Sequence, residues 1–179
     1  TMNKSERIAF FLLAFLVWIY LGLRSLYIPL IHDETVTYFV YIQNGNFIPP
    51  WAYWDANNHI LNSAIGSFFN AIFGHSPFVA RLGSWLSFIP FVFFVKGISE
   101  FIEDKTSRWA ALITLFTTPF FIEVFSLTRG YGMAMSWFLG TLFFAMQYVK
   151  TRNFTFIYWM GLTGLLASLS SLSVIIAVF

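Results

Sequence analysis

The stretch IAFFLLAFLVWIYLGLRSLY, from Ile8 to Tyr27, decides how this chain must be read. It carries one charge, Arg24, and about 20 apolar residues in a helix cover the roughly 30 Å of hydrocarbon in a bilayer. Pro29 stops it, because proline has no amide hydrogen with which to continue a helix. A signal-peptide core is shorter and leads into small residues, so the segment reads as a retained first span behind the polar start Met2 to Arg7. Four more runs follow: Pro77 to about Val95, Trp109 to about Leu127, Tyr131 to Val149, and Phe154 through Phe179. The expectation is an all-α, polytopic transmembrane helix bundle filling residues 1–179. Thr1 before Met2 reads as a remnant, and the end within the apolar run Val174 to Phe179 reads as a cut inside a helix of a larger protein.

Composition agrees with lipid as the main solvent. Apolar residues are 58% of the chain and charged residues 10%, against about 25% charged in ordinary soluble domains. A net charge of +2 leaves no basic patch, which excludes nucleic acid as a partner. With no cysteine, disulfides, thiolate metal sites and a thiol nucleophile are excluded too. There is no internal repeat, low-complexity tract or soluble domain.

Ile60 to Phe73 is apolar but only 14 residues long, below the spanning range. Leu61, Ala64, Ile65, Phe68, Phe69 and Ile72 share one helical face, while Asn62, Ser63, Gly66, Ser67 and Asn70 share the other, which predicts a helix that does not cross. Basic residues concentrate on the cytoplasmic side. Without a crossing at 60–73, Lys4, Arg7, Lys96, Lys105, Arg108, Lys150 and Arg152 all lie inside, seven of ten basic residues, and the N-terminus is cytoplasmic. With one, the bias reverses. Residues 30–76 then form a long outer loop with amphipathic juxtamembrane helices. Asp33 to Gln43 is predicted as one, with an apolar stripe of Val36, Phe39 and Val40, closed at Asn44-Gly45. Trp51, Tyr53 and Trp54 belong at headgroup level, and Thr128 to Gly130 make a second outer turn.

His32-Asp33-Glu34 places three ionisable residues just after the first span of a chain that uses few, and such residues near membrane depth are functional candidates. The plain alternative is that Asp33 caps the following helix while Glu34 complements its positive end.

Asp33-Glu34-Thr35 with Tyr38, Asn58-His59, Phe73-Gly74-His75-Ser76, Arg81-Leu82-Gly83-Ser84 and the run Ser126 to Tyr131 form an ordered series. Over about residues 8–150 this series resembles the protein O-mannosyltransferase and aminoarabinose-transferase branch of the glycosyltransferase C superfamily. The resemblance implies an enzyme that moves a sugar from a polyprenyl-phosphate carrier to a hydroxyl on a protein, lipid or glycan at the periplasmic or lumenal face. The first acid of the family's Asp-Glu pair falls on Asp33, which becomes the general base, with Glu34 in support. A positioned base is worth roughly 10²- to 10⁴-fold when an acceptor oxygen sheds its proton. A phosphate leaving group needs no acid, and displacement without a second carboxylate nucleophile inverts the anomeric carbon. Glu123, inside a span, is no such second carboxylate.

The leaving phosphate calls for cations, and Arg24, Arg81 and Arg129 are the outer arginines. Arg129 with Tyr131 is similar to the family's Arg-x-Tyr turn, although an arginine there can also snorkel to the headgroups. Arg81 can instead pair with carbonyls or carboxylates of its neighbours, and Arg24 can simply mark the end of the first span. His59 stands where relatives place a Lys or His before Pro, but Ile60 replaces that proline, so a capping role for Asn57-Asn58-His59 stays open. His32 is a further candidate for substrate contact. No definite cofactor is legible; His32, His59, Asp33 and Glu34 can gather a divalent metal, without short ligand spacing to support it. Rival readings are a transporter or flippase, whose ionisable groups belong nearer mid-bilayer, and an inactive truncated scaffold. The sugar and the acceptor are not legible.

Overall fold

A computed structural model describes residues 2–55 and 57–178. Every element is helical, and there is no strand among the described residues. In order they are α1 (Lys4–Tyr27), α2 (His32–Val36) running on into a π-helical stretch (Thr37–Ile42), α3 (Ile60–Phe73), α4 (Pro77–Ser99), α5 (Lys105–Thr117), α6 (Pro119–Glu123) with a 3₁₀ turn (Val124–Ser126), α7 (Tyr131–Thr151), α8 (Thr155–Ser170) and α9 (Ile175–Val178) after a second 3₁₀ turn (Leu172–Val174).

α1 and α4 are long and apolar enough to cross a membrane, and α5 with α6 and its 3₁₀ turn makes a third candidate if that bent pair is one span. The expected unbroken run 109–127 is therefore corrected: it bends by 57° at Thr118-Pro119, where proline cannot donate and pushes the preceding residue out of helical geometry. The run 154–179 is corrected likewise, since α8 ends at Ser170 and Ser171 is extended. The expected span 131–149 is matched by a helix, α7, which runs two residues further to Thr151, but Gly, Ser, Thr and Gln interleave its apolar residues and it is not among the helices apolar enough to cross by length and composition.

Polarity is turned inside out. Ser84, Ser87, Ser136, Thr163 and Ser168 are buried between helices while Phe15, Leu16, Leu23, Phe93 and Leu165 face outward. α3 repeats this: Asn62, Ser63, Gly66 and Asn70 face inward, and Phe68 is 60% exposed. Its two faces are those read from the sequence, but the polar one is covered by protein. In water such an arrangement would expose apolar rings and strip polar groups of solvent; in hydrocarbon the same rings meet a matching solvent and the polar groups find their partners inside the protein. The segment after α2 needs a similar correction. Its buried stripe is Glu34, Thr37, Tyr38, Tyr41 and Ile42, whereas Phe39 of the expected stripe is half exposed.

Beside this polar interior lies a phenylalanine core. Phe88 sits edge-on to Phe116 and Phe125, with Phe10 edge-on to Phe116 from α1. Trp85 stacks on Trp18 at 4.5 Å and donates its indole N–H to the Trp18 carbonyl at 2.9 Å, closing α4 on α1.

The two ends of α1 differ in chemistry. Near its start, Glu6 receives Arg108 and Lys105 at 3.4 and 3.5 Å. Lys150 lies over the Phe101 ring at 5.3 Å. Eighteen residues further along α1, about 27 Å at helical rise, Arg24 bonds Ser126 and Glu123. Because the chain lacks cysteine, Phe68→Cys in reconstituted protein is a clean probe of the inverted α3. The expected result is labelling by a lipid-soluble thiol reagent and protection from a charged, impermeant one.

Candidate active site

Arg81, on the second turn of α4, has no exposed surface, and neither has Glu34. They meet as a fork: Arg81 Nε to Glu34 Oε1 at 2.8 Å and Nη2 to Oε2 at 2.6 Å. The remaining guanidinium donors go to the carbonyls of Ser25, Ile28 and Pro29 at 2.9, 2.6 and 3.1 Å. These carbonyls stand at the end of α1, where the helix offers them no partner of its own. Glu34 also accepts the backbone N–H groups of Ile31 at 3.2 Å and Thr128 at 2.7 Å. Asn62 extends the network, donating to Thr128 Oγ1 and accepting from Ser84, both at 3.1 Å. Of the two roles open to Arg81 in the sequence, pairing with neighbouring carbonyls and a carboxylate is the one its contacts fill. Glu34 is equally engaged, so both act on the site through the backbone they hold.

The residues next in sequence to these anchors face outward. Asp33 Oδ2 and Arg129 Nη1 form an ion pair at 2.6 Å, with the side chains 39% and 22% exposed. Arg129 lies over the Tyr131 ring at 5.0 Å and its Nη2 reaches the Tyr131 hydroxyl at 3.3 Å. Its buried Nε has no partner among the described residues. Asp33 does not cap α2; Ile31 holds that position.

His59 lies behind this pair, 4% exposed, with its ring edge-on to Tyr131 at 4.9 Å. Its Nδ1 is 3.1 Å from the Ser170 carbonyl. A carbonyl only accepts, so Nδ1 carries the proton and Nε2 presents a lone pair, which has no partner among the described residues. Burial, aided by the Arg129 charge, pushes this imidazole down to about 4, against the pull of the Ser170 carbonyl. The capping role left open for Asn57-Asn58-His59 is not filled by the imidazole, which makes no cap bond to α3. Gly130 is required here: a Cβ would collide with the Ser170 carbonyl and the His59 ring.

Arg24 belongs to the rim, bonding Ser126 Oγ at 3.0 Å and Glu123 at 3.1 Å. His32 is exposed, one residue before Asp33 on α2. No group of three or more His, Asp or Glu that could hold a metal ion exists among the described residues, and the set His32, His59, Asp33 and Glu34 is divided because Glu34 is locked onto Arg81 and His59 Nδ1 onto Ser170. Sequence reasoning placed Thr128 in the second outer turn but did not foresee its amide on Glu34, and it missed Ser170; both of these bonds run through backbone atoms, which no side-chain motif records. No family model, curated protein or solved structure matches the chain.

His59 gives the fold a pH dependence with a definite sign. Its folded value lies below the ordinary 6.5, so between about pH 6.5 and 4 the unfolded chain binds the extra proton and acid favours unfolding. Stability is expected to be full above pH 6.5 and to fall by up to about 3 kcal/mol as pH drops towards 4. Thermal unfolding in detergent across that range checks it, and His59→Gln is expected to flatten this component of the profile.

Proposed function

We propose that this chain carries the reacting face of a polytopic membrane glycosyltransferase, with Asp33 as general base and Arg129 as phosphate ligand. The observation that carries the reading is the Asp33–Arg129 ion pair at 2.6 Å, partly open to solvent at one end of α1. The motif resemblance supplies the donor class, a polyprenyl-phosphate-linked sugar, and the acceptor class, a hydroxyl on a protein, lipid or glycan.

At rest each member of the pair occupies the other. An incoming lipid phosphate competes with Asp33 for the partly exposed Arg129 guanidinium and releases the Asp33 carboxylate. Asp33 then takes the proton of the acceptor hydroxyl as its oxygen forms a bond to the anomeric carbon. The bond from that carbon to the phosphate oxygen breaks, and polyprenyl phosphate leaves with the electron pair. One carboxylate on one face gives inversion. Tyr131 holds the guanidinium plane, and His59, neutral at physiological pH, packs behind it with its ring edge-on to Tyr131. Arg24 and His32 lie at the rim, within the approach of a headgroup.

The orientation proposed is cytoplasmic for the N-terminus and for the Lys96 to Arg108 and Lys150 segments that gather near Glu6, which follows the bias of basic residues to that side. α3 then sits wholly at the opposite, extracytoplasmic end. Reconstitution of the full-length protein with radiolabelled polyprenyl-phosphate sugar tests the reading. Asp33→Asn is expected to lower transfer by roughly 10²- to 10⁴-fold, and Arg129→Lys to weaken donor use because the planar fork is lost. Transfer at the wild-type rate in Asp33→Asn would refute it.

A further inference from the structure

An apolar furrow of about 380 Å³ runs between α1 and α4, walled by Phe11, Phe15 and Trp18 on one side and Ile89, Val92 and Phe93 on the other. Phe11 and Phe93 also line a second cavity of about 330 Å³, which therefore adjoins the furrow. That second cavity is rimmed by Lys96, Glu100, Gln147 and Lys150. Lys4 and Arg7 border Phe11 from the other flank of α1. The combined slot is apolar along its length and basic at one end, the end remote from Asp33. Phe11 to Trp18 covers about 10 Å of helix, the scale of an acyl chain within one leaflet.

We propose that this slot binds an anionic glycerophospholipid, with an acyl chain in the α1/α4 furrow and its headgroup on Lys96 and Lys150. Charge complementarity selects the occupant. Lys96 and Lys150 rim the slot beside one carboxylate, Glu100, which pairs with Lys96 at 2.8 Å, while Lys150 lies over the Phe101 ring. A zwitterionic headgroup brings its own cation and gains little from such a rim. A net anion gains from both lysines, about fivefold in affinity for each. The proposal does not depend on the transferase reading; it needs only that α1 and α4 stand in lipid.

Native mass spectrometry of the purified full-length protein with equimolar phosphatidylglycerol and phosphatidylcholine of matched chains tests it. The wild type is expected to retain phosphatidylglycerol several-fold over phosphatidylcholine, and Lys96→Gln with Lys150→Gln to remove most of that preference. Glu100→Gln is expected to raise phosphatidylglycerol retention, a gain that misfolding cannot produce. Ile89→Trp, which fills the furrow from an exposed position, is expected to lower retention of both lipids. Equal retention of the two lipids by the wild type, an unchanged preference in the double lysine variant, or no rise in Glu100→Gln overturns the proposal. Displacement of phosphatidylglycerol by equimolar glycerol phosphate overturns it as well, because the site would then hold a free anion and not a lipid.

Discussion

A guanidinium with no exposed surface, set in an apolar helix, must find all its partners inside the protein. Arg81 does: its five N–H groups meet Glu34 twice and the carbonyls of Ser25, Ile28 and Pro29. Glu34 answers with both oxygens, which also take the amides of Ile31 and Thr128. Breaking such a buried pair from one side costs about 3–5 kcal/mol, since it leaves a charge uncompensated. The pair thus ties together the end of α1, the start of α2, α4 and the turn before α7, four segments far apart in sequence.

The site is a by-product of that tie. Glu34 and Thr128 are the inward anchors; Asp33 and Arg129, each one residue away, turn outward and meet at 2.6 Å. Adjacent residues on a helix point about a quarter-turn or more apart, so the locked Glu34 aims Asp33 on α2, while Arg129 stands in the turn that Glu34 holds through the Thr128 amide. Gly130 lets the turn press against Ser170 and His59, and Asn62 joins Thr128 to Ser84 on α4. The chemistry proposed for Asp33 and Arg129 relies on residues that need never touch a substrate.

Much of this was legible in the sequence because lipid imposes simple rules. α1 and α4 follow from apolar length and from Pro29 and Pro77 at their borders, the helix at α7 from its apolar run though not its fitness to cross, and the brevity of α3 was plain. The bend at Pro119 was signalled by the proline itself, but a run judged on hydropathy alone hides it. The end of α8 was signalled more faintly by the cluster Ser168, Ser170, Ser171 and Ser173, since serine hydroxyls bond back to their own helix without ending it. Periodicity gave the two faces of α3 but not their direction, since that depends on whether water or hydrocarbon lies outside. Asp33 and Arg129 were named from their residue types and positions. The partner of Glu34 was not, because 47 residues separate it from Arg81.

The dependence of the site on the buried pair is most directly measured by cross-linking. In this cysteine-free chain, Asp33→Cys with Arg129→Cys, reconstituted in lipid, is treated with a short membrane-permeant bis-thiol reagent, with and without a further Arg81→Met substitution. The expected result is rapid cross-linking that Arg81→Met slows sharply. Absence of cross-linking in the double-cysteine protein, or the same rate when Arg81 is replaced, would contradict the account.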